Sequence, residues 1–175
     1  TIFDEMYAYF SSYSTSFLDH ARRYVAAMIE RFGLRADTSH VVEVASNDGY
    51  LLQYFVERGF RVLGVEPTAS TAAAAREKGV ETLEAFFGTQ LADKLAAQGR
   101  QADLLLGNNV LAHVPDINDF IAGLKRLLAP DGVITMEFPH LLQLIAHCQF
   151  DTIYHEHFSY LSFFTVAAMF KAHGL

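Results

Sequence analysis

The sequence predicts an α/β protein built on a doubly wound, mostly parallel sheet. Short apolar runs alternate with amphipathic or Ala-rich segments, and parallel strands need crossover helices of that kind. Two of the runs close on an acidic residue, Glu43 and Glu66, where strand gives way to turn. In open parallel sheets such strand ends border the ligand crevice.

The elements follow in order. Residues 1–38 are a lead-in and a helix, and residues 39–175 the ligand-binding domain. The opening TIFDEMYAYFSSY carries Tyr7, Tyr9 and Tyr13 at a spacing that suits neither strand nor long helix. Ser14 or Thr15 then caps a helix whose Phe17, Ala21, Val25, Met28 and Phe32 recur at helical spacing and which Gly33 ends. This helix is expected to lie across the sheet. The stretch VVEVASNDGYLL reads as the first strand, a turn at Asn47, Asp48 and Gly49, and the start of a helix over 50–58 that Gly59 stops. A second strand ends on Glu66; an Ala-rich helix follows over 70–78, with Gly79 as its stop. A third strand is expected over 80–85 and a third helix of this unit over 89–98. The fourth strand, 103–106, contains the apolar run Leu104, Leu105 and Leu106 that a buried parallel sheet demands. Pro115 and Asp116 open a helix to residue 128. Pro130, Asp131 and Gly132 make a turn, and residues 133–138 form the fifth strand. From Pro139 the chain is dense in His and aromatic residues, read as a loop before a last helix over 164–173.

Composition narrows the function. The 175 residues are 51% apolar and 19% charged, which suits one domain with a real core. A formal charge of −7 excludes the phosphate-neutralising surface of a nucleic-acid binder and favours small-molecule chemistry. A single Cys148 excludes an internal disulfide and a Cys-based zinc cluster, so a cytoplasmic setting is expected. No apolar run reaches membrane-spanning length, and no membrane partner is expected. The chain opens on Thr1 without a Met and closes at Leu175 after a helix stop, as an excised piece of a longer protein would.

The crevice carries more specific signals. A dinucleotide turn wants three glycines, whereas residues 45–49 hold only Gly49, which disfavours a nicotinamide cofactor. Glu66 follows the turn by roughly 20 residues, where an acid commonly takes a ribose diol. With Phe86 and Phe87 after the third strand and Asn109 after the fourth, the pattern resembles the class I S-adenosylmethionine-dependent methyltransferases. The set EVASNDGYLL, GVEP, FFG, NNVLAHVPD, EFPH and QFDTIYHEHFSY is, more narrowly, similar to the sugar C-methyltransferases that act on nucleotide-linked ketosugars. The similarity runs from about Tyr7 to the end of the chain, and YHEHF is its most specific part.

That resemblance implies a Rossmann-like core that stops before its last two strands, flanked in a full-length parent by a small zinc domain and a C-terminal domain. It implies S-adenosylmethionine as cofactor, with Glu43, Ala45, Ser46, Asn47 and Gly49 at its methionine end. Glu66, followed by Pro67, would take the ribose hydroxyls, Phe86 and Phe87 would flank the adenine, and Asn109 would sit near the amino-acid end. Ala45 and Asn47 stand where most class I members have Gly.

Methylating a carbon next to a ketone needs a base for the C–H, a donor for the enolate oxygen and an activated methyl. His157 is the candidate base, since imidazole titrates near neutrality, at about 6.5. Glu156 and Tyr154 would orient the sugar or polarise its oxygen, and the resemblance adds Tyr7. His113, His140 and His147 read as surface or packing residues. Zinc on His155, Glu156 and His157 is disfavoured, since residues two apart diverge on a helix and no further ligands accompany them. Two other functions use the same crevice: an O- or N-methyltransferase of another small metabolite, and a non-catalytic cofactor-binding or interaction module.

Overall fold

The computed structural model describes residues 10–175. Tyr7 and Tyr9 lie outside the described residues; Tyr13 ends a short 3₁₀ turn, Ser11–Tyr13. Helix α1, Thr15–Phe32, is capped by Ser14, whose side chain accepts the Phe17 N–H, and ends at Gly33 in the left-handed region (φ 61°). The strands are β1 (His40–Val44), β2 (Arg61–Val65), β3 (Thr82–Leu83), β4 (Ala102–Asn108) and β5 (Leu128–Glu137). Between them lie α2 (Gln53–Val56), α3 (Ala69–Glu77), α4 (Thr89–Ala97) and α5 (Ile117–Leu127), and after them α6 (Leu141–Ala146) and α7 (Phe163–Ala172).

All strand pairs are parallel, in the order β3-β2-β1-β4-β5. The chain winds outward from β1 to β3, then returns to β1's other edge with β4. A crevice therefore opens at the C-terminal ends of β1 and β4, where the winding reverses. Both faces of the sheet are covered, which is why β1 is buried at every residue. On one face Val41, Leu104 and Leu106 pack with Ala21, Val25, Leu52, Phe55 and Ala75 from α1 to α3. On the other, Val42, Val44 and Leu105 pack with Leu95, Phe120, Ile121 and Leu124 of α4 and α5, and with Val166 of α7. The α1 helix is thus laid across the sheet as its spacing implies. Among the described residues no helix is long and apolar enough to cross a membrane.

Four elements differ from expectation. The third strand pairs only at Thr82 and Leu83, because Val80 still belongs to the exit of α3, its N–H held by the Ala75 carbonyl. The helix over 50–58 shrinks to α2, since Tyr54, Phe55, Arg58 and Gly59 donate three residues back rather than four. Pro130, Asp131 and Gly132 do not separate helix from strand. They sit inside β5 as an irregularity, Leu128 pairing with Ala102 and Val133 with Leu104. The expected loop after Pro139 contains α6, whose first turn is capped by the His140 ring through the Leu142 N–H.

Candidate active site

The crevice holds a cavity of about 320 Å³ built from four strand ends. Val44, Ala45, Asn47 and Tyr50 come from β1 and its turn; Val65, Glu66 and Pro67 from the end of β2; Phe86 and Phe87 from beyond β3; Asn108 and Asn109 from the end of β4. The turn is tight, with Ala45, Asn47 and Gly49 at φ 58°, 49° and 73°. Asn tolerates that region, but Ala there is strained by roughly 1–2 kcal/mol. Asn109 is also left-handed (φ 53°), its N–H held by the Glu137 carbonyl. Phe17 stacks on Tyr50 at 4.8 Å, and Asn108 Nδ2 donates to the Tyr50 hydroxyl at 3.3 Å.

Glu66 is buried and clamped. One oxygen accepts the Asn47 N–H and the other the Thr68 N–H, both at 2.9 Å. Each carboxylate oxygen keeps a second lone pair, and Glu66 lines the cavity. Phe86 is 60% exposed, an aromatic face over the cavity rather than core; Phe87 meets Phe120 edge-on at 5.5 Å and forms the wall.

Three expected contacts are absent from the cavity lining. Glu43 is fully buried beneath it, on the same sheet face as Val41, and neither carboxylate oxygen has a hydrogen-bond partner among the described residues. Burial, reinforced by Glu66 and Asp48, pushes its pKa well above the ordinary value. Burial likewise raises Tyr24 to about 12 and pushes Tyr50 higher, with Glu43 adding to both. Ser46 turns inward against Gly64, where an added Cβ would lie 2.5 Å from Ser46 Oγ. Gly49 faces α3, where a Cβ would meet Val80 at 3.0 Å and Ala75 at 3.2 Å; the glycine serves packing as well as the turn.

The His-rich segment folds back onto the 3₁₀ turn Leu111–His113 after β4. Ala112's carbonyl accepts the N–H groups of Phe158 (2.7 Å) and Ser159 (3.3 Å), and His113 Nδ1 lies 3.1 Å from the Glu156 carbonyl. His157 Nδ1 lies 2.8 Å from the Thr152 carbonyl. A carbonyl only accepts, so each ring carries its proton on Nδ1, and His157 Nε2 is buried with no hydrogen-bond partner among the described residues. The two imidazoles meet edge-on at 4.6 Å, and Tyr154 lies 4.2 Å from His157. Burial and His157 together lower the pKa of His113, keeping it neutral.

The structure thus gathers His157 and Tyr154, with Glu156 contributing its carbonyl, but places none of the three in the cavity lining. Tyr7 lies outside the described residues. The imidazole that lines the cavity is His113, with Phe158 beside it. His113 was legible only through its position, four residues beyond Asn109 at a crevice strand end. Phe17, Tyr50 and Asn108 were given no role, because helical spacing marks Phe17 as core and the motifs EVASNDGYLL and NNVLAHVPD contain the other two without singling them out. Among the described residues no group of three or more His, Cys, Asp or Glu is placed to hold a metal ion.

Comparison with known proteins places this geometry. The Methyltransferase domain family matches residues 17–175. The chain is 41% identical over 169 residues to the C-methyltransferase NovU of Streptomyces niveus, covering 97% of this chain and 40% of that protein's length. The PH0226 protein from Pyrococcus horikoshii OT3 shares the fold at a TM-score of 0.74 and 18% identity, over 94% of this chain and 84% of that one. An S-adenosylmethionine dependent methyltransferase from Mesorhizobium loti does so at 0.65 and 17%, over 90% and 82%. With a domain match over nearly its whole length and the sheet order and crevice to go with it, the chain belongs to the class I S-adenosylmethionine-dependent methyltransferase domain family.

Proposed function

We propose that this domain methylates a carbon next to the ketone of a nucleotide-linked deoxysugar, by base-assisted enolate formation and then methyl transfer. The observation that carries the reading is the imidazole pair at the crevice. His113 on the cavity wall meets His157 edge-on, both rings turn Nδ1 to a backbone carbonyl, and His157 Nε2 is buried with no hydrogen-bond partner among the described residues. An O- or N-methyl acceptor already offers a lone pair, whereas a carbon acceptor must first lose a proton. The name C-methyltransferase of the Streptomyces relative supports the same choice.

The residues present fit S-adenosylmethionine. Glu66 keeps lone pairs for a ribose diol, Phe86 offers a ring face for the adenine with Phe87 behind it, and Pro67 shapes that end. Ala45, Asn47 and Asn109 also line the cavity and are assigned to the amino-acid portion. Glu43 stays buried beneath the cavity without lining it, and Ser46 and Gly49 hold the turn's shape. When bound, the cofactor supplies an activated methyl on a sulfonium. The chain's own work is to bind the ketosugar, take its α-proton at His157 Nε2 and hold the developing oxyanion. Tyr154 and Glu156, with Tyr7 from the lead-in, are assigned to that oxyanion and to orientation.

This chain spans 40% of the Streptomyces relative's length. The proposal therefore assigns a small zinc domain and a C-terminal domain that helps hold the nucleotide-sugar to a longer parent, with residues 39–175 as its methyltransferase unit. The test uses that parent and a ketosugar deuterated at the reacting carbon, with S-adenosylhomocysteine replacing the methyl donor. Wild type is expected to wash the label into water, and His157→Ala to lose about 10²- to 10⁴-fold in washout rate. Washout that survives in His157→Ala and is lost in His113→Ala would move the base role to His113. Washout absent from wild type would remove carbon methylation altogether.

A further inference from the structure

The segment before α1 is tied to the cofactor turn. Ser11 N–H donates to Asn47 Oδ1 at 3.0 Å, and Ser12 N–H to Asp48 Oδ2 at 3.3 Å. Lys78, at the C-terminal end of α3, joins both sides of this contact. Its Nζ donates to Ser12 Oγ at 2.6 Å, to the Asp48 carbonyl at 2.7 Å and to Asp48 Oδ2 at 2.9 Å. An ammonium has three protons, so this set uses every one. The Asp48 side chain is 3% exposed, which separates this pair from solvated surface bridges of little value. Ser11 lines the cavity beside Asn47.

We propose that Lys78 is a positioning residue that latches the strap formed by residues 10–13 to the turn at Asn47 and Asp48, closing one wall of the cofactor cavity and slowing ligand escape. The proposal rests on the S-adenosylmethionine reading of that cavity. A lysine that merely joined α3 to the turn would need Asp48 alone. The bond to Ser12 lies on the strap, and without it the strap keeps, among the described residues, its two amide bonds to the turn. Lys78 also places a positive charge beside Asp48, in a region that already buries Glu43 and Glu66.

The test times release of S-adenosylhomocysteine from the 175-residue chain by stopped flow. Affinity changes within one site act mainly on release, so Lys78→Met, similar in length and uncharged, is expected to speed it about tenfold. Ser12→Ala should act in the same direction by less, the double variant should release no faster than Lys78→Met, and Lys78→Arg should restore most of the slow release. Hydrogen exchange of the Ser11 and Ser12 amides in the ligand-free chain gives a readout independent of the cofactor, and both should lose protection in Lys78→Met. Unchanged release in folded Lys78→Met overturns the positioning role, even where exchange quickens. Should Lys78→Met not fold, Ser12→Ala with unchanged release and exchange does the same. Failure of wild type to bind S-adenosylhomocysteine would sink the cofactor reading, and exchange alone would then judge the latch: amides no less protected in Lys78→Met would overturn it.

Discussion

Glu43 sits beneath the cavity floor with no hydrogen bond among the described residues to offset its burial. Its folded pKa is raised well above 4.5, by burial first and by Glu66 and Asp48 after it. Between those two values the folded state holds the extra proton. The stability this contributes is present at low pH and is lost as pH rises from the unfolded value through the folded one. Glu43→Gln removes the titration, so urea unfolding at about pH 5 and about pH 8 should show a smaller loss of stability with pH in the variant than in wild type. An equal loss in both would mean that Glu43 finds a charged-state partner. The sequence marked Glu43 as a site residue by its position near a strand end, and the structure leaves it out of the cavity lining. The sequence did not reveal depth, because strand alternation turns Glu43 away from the cavity and towards α1 and α2. His113 is the opposite case, an unmarked residue that a docked loop turns into part of the wall.

Among the elements, helix starts and stops were the most legible, since they rest on local chemistry. Ser14 and Asp116, both marked in the sequence, each accept the N–H three residues on; Ser162 does the same for α7 without having been marked. Strand lengths were less so, because pairing is decided by a neighbour distant in sequence. The expected third strand is cut short by α3's exit, and β5 absorbs a Pro-Asp-Gly that reads locally as a turn. The contact between β2 and the first turn is equally non-local. Gly64 leaves room for Ser46, and a Cβ there would lie 2.5 Å from Ser46 Oγ and 3.2 Å from Thr82 Oγ1. Gly64→Ala should therefore destabilise the domain by about 1–3 kcal/mol, measured by urea unfolding. Adding Ser46→Gly should return part of that loss; strictly additive losses would rule out this contact as the cause.

At the scale of the whole molecule, alternating strands and helices made the doubly wound sheet readable, and the order β3-β2-β1-β4-β5 puts both acid-ended strands beside one crevice. The placement of the His-rich segment was not readable. It depends on two backbone hydrogen bonds to Ala112 that no local pattern encodes. The central claim is that this crevice holds S-adenosylmethionine through Glu66, and calorimetric titration of the chain tests it most directly. S-adenosylhomocysteine should bind and NAD should not compete. Glu66→Ala should weaken binding by on the order of 1.5 to 3 kcal/mol, as a buried diol loses its charged acceptor. Tighter binding of NAD than of S-adenosylhomocysteine, or affinity untouched by Glu66→Ala, would contradict it.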